Sequence, residues 1–232
     1  MNQDITQILS LGLLLSIITI PAFTLPDTSS NTDWKRIVSI SLRNYLTSTE
    51  VEALLSGVLD GNNPERNHCM LMTAFFHGMR ASELLDIRLS DLDLKGRVLY
   101  IRRLKNGFST QHPLLTKEVQ HLRRWLRIRA RQRYADESDY LFISREGLPL
   151  TRQQFYNIMR QSGERANLSL SVHPHMLRHA CGYALADAGI DTRLIQDYLG
   201  HRNIRHTVLY TASNSARFEG IWSTKRRKKS NN

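Results

Sequence analysis

Apolar residues recur at helical spacing along most of this chain, from about residue 47 onward. Thr47 and Glu50 form a capping box ahead of a first apolar run. A second helix is predicted from Pro64 to Gly78, after a turn at residues 61–64. Two further helices are predicted where Thr116 and Thr151 stand as caps. These patterns indicate a mainly helical domain.

Three short stretches have the composition of strands instead. Residues 97–114 are predicted to form a hairpin, with Val98 and Ile101 on one strand, a turn signal at Lys105-Asn-Gly, and His112 on the return strand. Residues 140–144 are predicted to form the third short strand. A small sheet is therefore expected within the helical domain.

Polar side chains collect at the ends of the last two predicted helices. Pro174 suits the first turn of one helix, and Gly189 and Gly200 are suited to end the two helices. His175 and Arg178 are three residues apart and thus share a face. The polar residues of this stretch are His173, His175, Arg178, His179, His201 and Tyr210.

These residue types suit phosphoryl transfer to a tyrosine. Arginine offers a rigid fork of donors that matches a phosphate, histidine donates a hydrogen bond or moves a proton near neutral pH, and tyrosine can act as a nucleophile. Taken singly, a tyrosine in an apolar run is usually a core residue and an arginine on a helix is usually solvated. The spacing of His175 and His179 also suits zinc, but Met176 stands where the zinc-protease motif has glutamate.

The composition favours a polyanionic partner. The 232 residues include 32 Lys and Arg against 21 Asp and Glu, a net charge of +11, and 41% are hydrophobic. Such an excess suits nucleic acid, although a merely basic protein would share it. The two cysteines, Cys69 and Cys181, lie in apolar runs and are expected to be buried free thiols in a reducing, cytoplasmic setting.

The N-terminal segment stands apart from this pattern. No residue from Ile8 to Leu25 is charged, a length near the lower limit for a membrane span. It is a weak membrane anchor, an apolar helix that docks on the domain, or a tail added by a displaced translation start. We expect three parts: an apolar segment and polar linker at 1–44, a catalytic domain at 45–222 and a basic tail at 223–232.

The segments HPHMLRHACGYAL and DYLGHRNIRHTVLYT resemble the catalytic box of the tyrosine recombinases, the phage integrase family. The resemblance implies an α+β, mainly helical catalytic domain with a small three-stranded antiparallel sheet. It assigns catalytic roles to His175, Arg178, His201 and Tyr210, with Tyr210 as nucleophile and His175 as the residue that accepts its proton or positions it. Upstream, GMRASELL matches the pattern around the family's first catalytic arginine. That match adds Arg80 as catalytic, Glu83 as a supporting acid, and Lys105 on the hairpin turn as the acid that protonates the leaving 5′-oxygen.

Within the family, the chain is most similar to the short recombinases that invert a promoter element of bacterial fimbriae, which produces phase variation. That similarity implies double-stranded DNA with inverted-repeat sites, a homo-tetramer on paired sites and accessory DNA-bending proteins as partners, and a nucleoid-associated protein. It implies no metal and no cofactor, because the bond energy is kept in a phosphotyrosine ester. The helix after Thr151 would enter a DNA groove, and its candidate contacts are Arg152, Gln153, Gln154 and Tyr156.

Three other functions fit parts of the pattern. A type IB topoisomerase would use the same chemistry on one strand. A DNA-binding transcriptional regulator would carry an inactive recombinase site. A zinc hydrolase would use the histidines as metal ligands. The complete set of catalytic residue types favours the recombinase.

Overall fold

Eight α-helices and a three-stranded sheet make up the part of the chain that the computed structural model describes, residues 43–103 and 109–212. The helices are α1 (Ser48–Gly57), α2 (Pro64–Phe76), α3 (Ala81–Leu85), α4 (Thr116–Arg129), α5 (Arg152–Arg165), α6 (Pro174–Asp187), α7 (Thr192–Leu199) and α8 (Arg205–Ala212). Two short 3-10 helices cover Leu89–Asp91 and Ala135–Glu137. The mainly helical α+β fold expected from the sequence is confirmed.

Helix starts follow the capping signals in the sequence, with one exception. The Thr47 hydroxyl accepts from the backbone N–H of Glu50, and the Glu50 carboxylate accepts from that of Thr47 at 2.8 Å. Thr151 begins α5 by the same exchange with Gln154. The cap of α4 is Leu115 instead of Thr116, because the carboxylate of Glu118 accepts from the Leu115 N–H at 2.9 Å.

The sheet has three antiparallel strands in the order β1 (Leu92–Asp93), β2 (Val98–Ile101) and β3 (Thr110–Pro113). The predicted hairpin is confirmed as β2 and β3, with Leu99 opposite His112 and Ile101 opposite Thr110. The third strand precedes the hairpin in the chain, so its prediction at residues 140–144 was wrong.

The apolar residues at 140–144 are explained by burial between other elements and not by membership of the sheet. Residues 141–143 are buried in succession, and residues 140 and 143 make only isolated bridges to Arg88 and Pro149. Side chains take the place of a strand partner: the Trp125 indole N–H donates to the Leu141 carbonyl, and Arg66 donates to that of Ile143. A run of buried apolar residues is therefore not always a strand.

The helices enclose a large hydrophobic core and a second, smaller apolar cluster between α6, α7 and α8 that includes Ile195, Leu199 and Tyr210. Helix α2 packs against α4 and α6, α1 against α5, and α8 against α6 and α7. Trp125, Phe142 and Phe155 are among the largest side chains buried there. Arg129 of α4 is also buried, 5% exposed, and donates to three backbone carbonyls of residues 135–140. It thus differs from Arg123, Arg124 and Arg127 of the same helix, which are exposed.

Within residues 43–103 and 109–212, no helix combines the length and the apolar character that crossing a membrane requires. The apolar segment from Ile8 to Leu25, the basic tail and the domain boundary near residue 222 lie outside the described residues.

Candidate active site

Arg80 and Glu83 form a cap at the start of α3 that fixes the arginine. Arg80 precedes the helix in an extended conformation, and its backbone N–H donates to Oε2 of Glu83 at 3.0 Å. Nη1 of Arg80 donates to Oε1 of the same carboxylate at 2.5 Å. The Arg80 side chain is 28% exposed, whereas that of Glu83 is completely buried. The cap therefore holds a partly exposed guanidinium above a buried carboxylate.

Two more arginines approach the same carboxylate. Nη1 of Arg103 lies 2.9 Å from Oε2 of Glu83, and Nη1 of Arg178 lies 3.9 Å from that oxygen. Burial alone would raise the pKa of Glu83, but the Arg80 N–H and the charge of Arg103 outweigh it, so the pKa is lowered. One ionised carboxylate thus faces three guanidinium groups. The excess positive charge is what a phosphodiester would neutralise.

Arg178 joins two segments of the chain at this point. Its Nη1 donates to the carbonyl of Gly78, and its Nη2 donates to that of Leu199 at 2.8 Å. Burial, with Arg80 and Arg103 nearby, lowers the pKa of Arg178 to about 10, so the group stays charged at neutral pH. The guanidinium is thereby fixed between the ends of α2 and α7.

Tyr210 of α8 is buried against α6. Its hydroxyl forms a hydrogen bond with Nδ1 of His179 at 3.0 Å, and the whole residue is 2% exposed. Its ring lies on Gly182, where a Cβ atom would come within 2.5 Å of Cε2 of the tyrosine. Burial raises the pKa of Tyr210 to about 12, although the charge of Arg178 acts in the opposite direction. The phenol is therefore protonated and enclosed in this state.

His201 follows the glycine that ends α7. Gly200 has a φ of +64°, which allows the chain to turn and places His201 toward α8. Nδ1 of His201 forms a hydrogen bond with the Thr207 hydroxyl at 2.9 Å, and its ring is stacked with that of Tyr210, with 6.2 Å between centroids. Burial, then the charges of Arg178 and Arg80, lower the pKa of His201 to about 3. The neutral imidazole can donate a hydrogen bond to a phosphate oxygen.

His175 lies in the first turn of α6, exposed beside the buried residues. Its ring centroid is 4.8 Å from that of His179. Partial desolvation of the ring by its neighbours and then the charge of Arg178 lower its pKa. From the sequence we expected His175 to accept or position the Tyr210 proton, but here the Tyr210 hydroxyl is bonded to His179.

The structure thus brings five of the six predicted catalytic residues into one region, together with Glu83. The sixth, Lys105, lies outside the described residues. Two contributors were missed in the sequence. His179 adjoins Arg178 and was noted without a role. Arg103 could have been predicted from the sequence, because residues 99, 101 and 103 lie at alternating positions along β2 and just after it. The same face that buries Leu99 and Ile101 therefore buries Arg103.

The four candidate DNA contacts lie on the exposed start of α5. The Gln154 side chain accepts from the Thr151 N–H, and Gln153 donates to Asn157, so both make local contacts. Arg152 and Tyr156 are exposed. Among residues 43–103 and 109–212, no three histidine, cysteine, aspartate or glutamate side chains are grouped so that they could hold a metal ion.

The sequence matches the model of the phage integrase family over residues 44–217. It is 60% identical over 184 residues to the type 1 fimbriae regulatory protein FimB of Escherichia coli K12, a match that covers 79% of this chain and 92% of the relative. It is 56% identical over 183 residues to the type 1 fimbriae regulatory protein FimE of the same strain, with the same coverage.

Solved structures of recombinases have a similar fold. The XerA recombinase superposes with a TM-score of 0.66 at 25% identity, over 78% of this chain and 65% of that chain. The XerH site-specific recombinase, bound to its difH substrate before cleavage, gives 0.65 at 24% identity, over 79% of this chain and 54% of the other. The chain therefore belongs to the phage integrase family, and it is a tyrosine recombinase, an enzyme that cleaves and rejoins DNA.

Proposed function

We propose that this enzyme is a site-specific recombinase that inverts a promoter element controlling fimbrial expression. The identity to two type 1 fimbriae regulatory proteins supports this function. The observation that carries the chemistry is the placement of Arg80 and Arg178 around one buried carboxylate, with the Tyr210 phenol in the electrostatic field of both guanidinium groups. A topoisomerase and an inactive regulator are less well supported, because close similarity extends over 92% of each fimbrial relative.

In the proposed reaction, Arg80 and Arg178 hold the scissile phosphate and stabilise the charge of its pentacoordinate transition state. His201 donates a further hydrogen bond to a phosphate oxygen. The Tyr210 oxygen attacks phosphorus and forms a 3′-phosphotyrosine as the bond to the 5′-oxygen breaks. Lys105 protonates that oxygen, which leaves as a hydroxyl.

The proton of Tyr210 needs an acceptor when the hydroxyl faces the phosphate. We propose His175 for this role, since it lies at the exposed edge of the cluster, three residues before Arg178. His179 would then release the hydroxyl as DNA binds.

The ester keeps the energy of the broken bond. A 5′-hydroxyl from a second strand can therefore attack the phosphotyrosine and reverse the step without a metal or nucleotide cofactor. Exchange between two sites then needs double-stranded DNA with inverted repeats, four subunits on paired sites and, as we propose, accessory proteins that bend the DNA. The XerH structure with its DNA substrate supports DNA as the partner.

The domain at 45–222 would carry this activity, close to the family match at residues 44–217. The start of α5 would contact a DNA groove through Arg152, Gln153, Gln154 and Tyr156. We place the enzyme in the cytoplasm, associated with the nucleoid.

An inversion assay tests this function. The protein is incubated with a supercoiled plasmid that carries a fimbrial promoter element between its inverted repeats, and restriction digestion reports the orientation. We expect both orientations to appear, and a matched plasmid with direct repeats should lose the element by deletion. Relaxation without inversion would favour the topoisomerase, and binding without any strand cleavage would favour the inactive regulator.

A further inference from the structure

Arg103 is a third arginine beneath the two proposed to bind phosphate, and its side chain is completely buried. Nη1 donates to Oε2 of Glu83 at 2.9 Å. Nη2 donates to the carbonyl of His77 at 3.3 Å and to that of Tyr198 at 2.6 Å. One guanidinium thus ties together the end of α2, helix α3 and the end of α7. Burial lowers the pKa of Arg103, but the charge of Glu83 raises it in turn, as expected for a buried pair.

The two carbonyls that Arg103 contacts belong to one buried polar cluster. The side chains of His77 and Tyr198 both contact His112 of β3: the Nδ1 atoms of the two histidines are 3.3 Å apart, and the rings of His112 and Tyr198 are 4.0 Å apart. Nε2 of His77 also lies 2.9 Å from Oε1 of Glu118, although the two atoms form no hydrogen bond. The cluster fixes the backbone around the Arg103 guanidinium.

The division of contacts on Glu83 indicates what Arg103 does. Oε1 of Glu83 accepts from the Arg80 side chain, while Oε2 faces Arg103 at 2.9 Å and Arg178 at 3.9 Å. Without Arg103, Oε2 would keep the backbone N–H of Arg80 at 3.0 Å but lose its nearest charged donor, and our proposal has the carboxylate pivot on that remaining bond toward Arg178. That rotation would change the distance between the guanidinium groups of Arg80 and Arg178.

A second contact leads toward His201. Gly200 lies against the Arg103 side chain, so closely that a Cβ atom there would come within 3.0 Å of Cγ and Nε. His201 is the next residue. Arg103 thus contacts the supports of three proposed phosphate-binding groups, although none of its described contacts is with those groups' own donor atoms.

We propose that Arg103 is a positioning residue that sets the spacing of Arg80 and Arg178 for the scissile phosphate, through Glu83 and the ends of α2 and α7. This inference rests on the proposed function, because it assumes that the two arginines bind the phosphate. If its role were purely structural, Arg103 would only satisfy the buried backbone carbonyls of His77 and Tyr198.

Modified DNA separates these roles. The assay is single-turnover cleavage of a nicked suicide duplex with the fimbrial inverted repeat, followed as covalent complex on a denaturing gel. In a methylphosphonate substrate, a methyl group replaces one non-bridging oxygen of the scissile phosphate and removes the charge that the arginines neutralise. In a 5′-phosphorothiolate substrate, sulfur replaces the leaving oxygen and needs little help from an acid.

We expect Arg103→Met to slow cleavage of the ordinary phosphate about 100-fold, the effect of a small misplacement at a reacting centre. The penalty should fall below about 10-fold on the methylphosphonate and stay near 100-fold on the phosphorothiolate. Arg103→Lys keeps the charge near Glu83 but cannot reach both carbonyls, so it should show the same pattern with a smaller penalty. This variant provides the measurement if Arg103→Met does not fold.

Arg129→Met is the matched control. Arg129 is equally buried and satisfies backbone carbonyls, but those of residues 135–140. It should lower the thermal midpoint while changing cleavage of all three substrates by one common factor. Equal penalties for the Arg103 variants on phosphate and methylphosphonate would overturn the proposal. Rescue by the phosphorothiolate alone would also overturn it, since Arg103 would then act through Lys105. If the wild-type chain cleaves none of the substrates, the proposed function fails instead.

Discussion

The Tyr210 hydroxyl lies 3.0 Å from Nδ1 of His179, and this contact holds the proposed nucleophile inside the protein. Burial lowers the pKa of His179 to about 4, with further contributions from His175 and Arg178, and burial raises the pKa of Tyr210 to about 12. Transfer of the proton from the phenol to this imidazole is therefore strongly uphill. The contact retains the hydroxyl and does not activate it.

Substitution of His179 should consequently release the tyrosine. A neutral hydrogen bond contributes about 1 kcal/mol, so His179→Ala should accelerate the first turnover on a suicide substrate about fivefold. His179→Asn, which can place a polar atom close to the position of Nδ1, should stay near the wild-type rate. A loss of cleavage in both variants would show instead that the imidazole takes part in the reaction.

Gly182→Ala should displace Tyr210. The new methyl group would lie 2.5 Å from Cε2 and 2.7 Å from Cζ of the ring, a distance at which the ring must shift. Overpacking of this kind costs about 1–3 kcal/mol, more than the roughly 1 kcal/mol that alanine gains over glycine in a helix. We expect at least about a tenfold loss of covalent complex, with DNA binding retained in a gel-shift assay.

Gly189→Ala is the control for this experiment. Gly189 follows α6, the helix that contains Gly182, and has a φ of +76°. No atom lies within 4 Å of the Cβ that alanine would add. The substitution should cost about 1 kcal/mol of stability through the backbone alone and leave the rate of complex formation unchanged. Equal rates for the two alanine variants would contradict the account of Gly182.

Stability should fall in mild acid because of the buried histidines. Burial, then the charges of His77 and Arg103, lower the pKa of His112 to about 3, from 6.5 for an unperturbed histidine. Below pH 6.5 His112 takes up a proton in the unfolded chain but stays neutral in the folded chain. The contribution of neutral His112 to the free energy of unfolding is therefore complete above pH 6.5 and is lost as the pH falls toward 3. The groups that face His112 are His77, Thr110, Tyr198 and Arg103.

The measurement is urea unfolding at pH 7.5 and pH 5.5. His112 alone should lower the free energy of unfolding by about 1 kcal/mol over this interval, and His201 and His179 act in the same direction. His112→Asn should lower stability at both values but reduce the difference between them. A wild-type protein that is as stable at pH 5.5 as at pH 7.5 would contradict this assignment.

Much of the fold was predictable because its signals are local. The caps at Thr47 and Thr151 involve residues three apart, and Gly189 and Gly200 have the positive φ angles that end α6 and α7. The recombinase motifs likewise predicted Arg80 and Arg178 from short contiguous stretches of sequence. Such features need no knowledge of distant contacts.

The contacts that were missed join distant parts of the sequence. Arg103 reaches Glu83, 20 residues away, and Tyr198, 95 residues away. His112 meets His77 only after the hairpin folds against the end of α2, and Glu118 does so only after α4 packs against α2. The strand predicted at residues 140–144 failed for the same reason, because its carbonyls are satisfied by side chains from other elements.

The most direct test of the central claim, that Tyr210 forms a covalent bond with DNA, is to trap that bond. A nicked suicide duplex carrying the fimbrial inverted repeat is incubated with the protein in the presence of chelator and then run on a denaturing gel. We predict a shifted covalent band from the wild-type chain, and none from Tyr210→Phe, which should still bind the duplex. A covalent band of equal strength from Tyr210→Phe would contradict the claim, because another residue would then be the nucleophile.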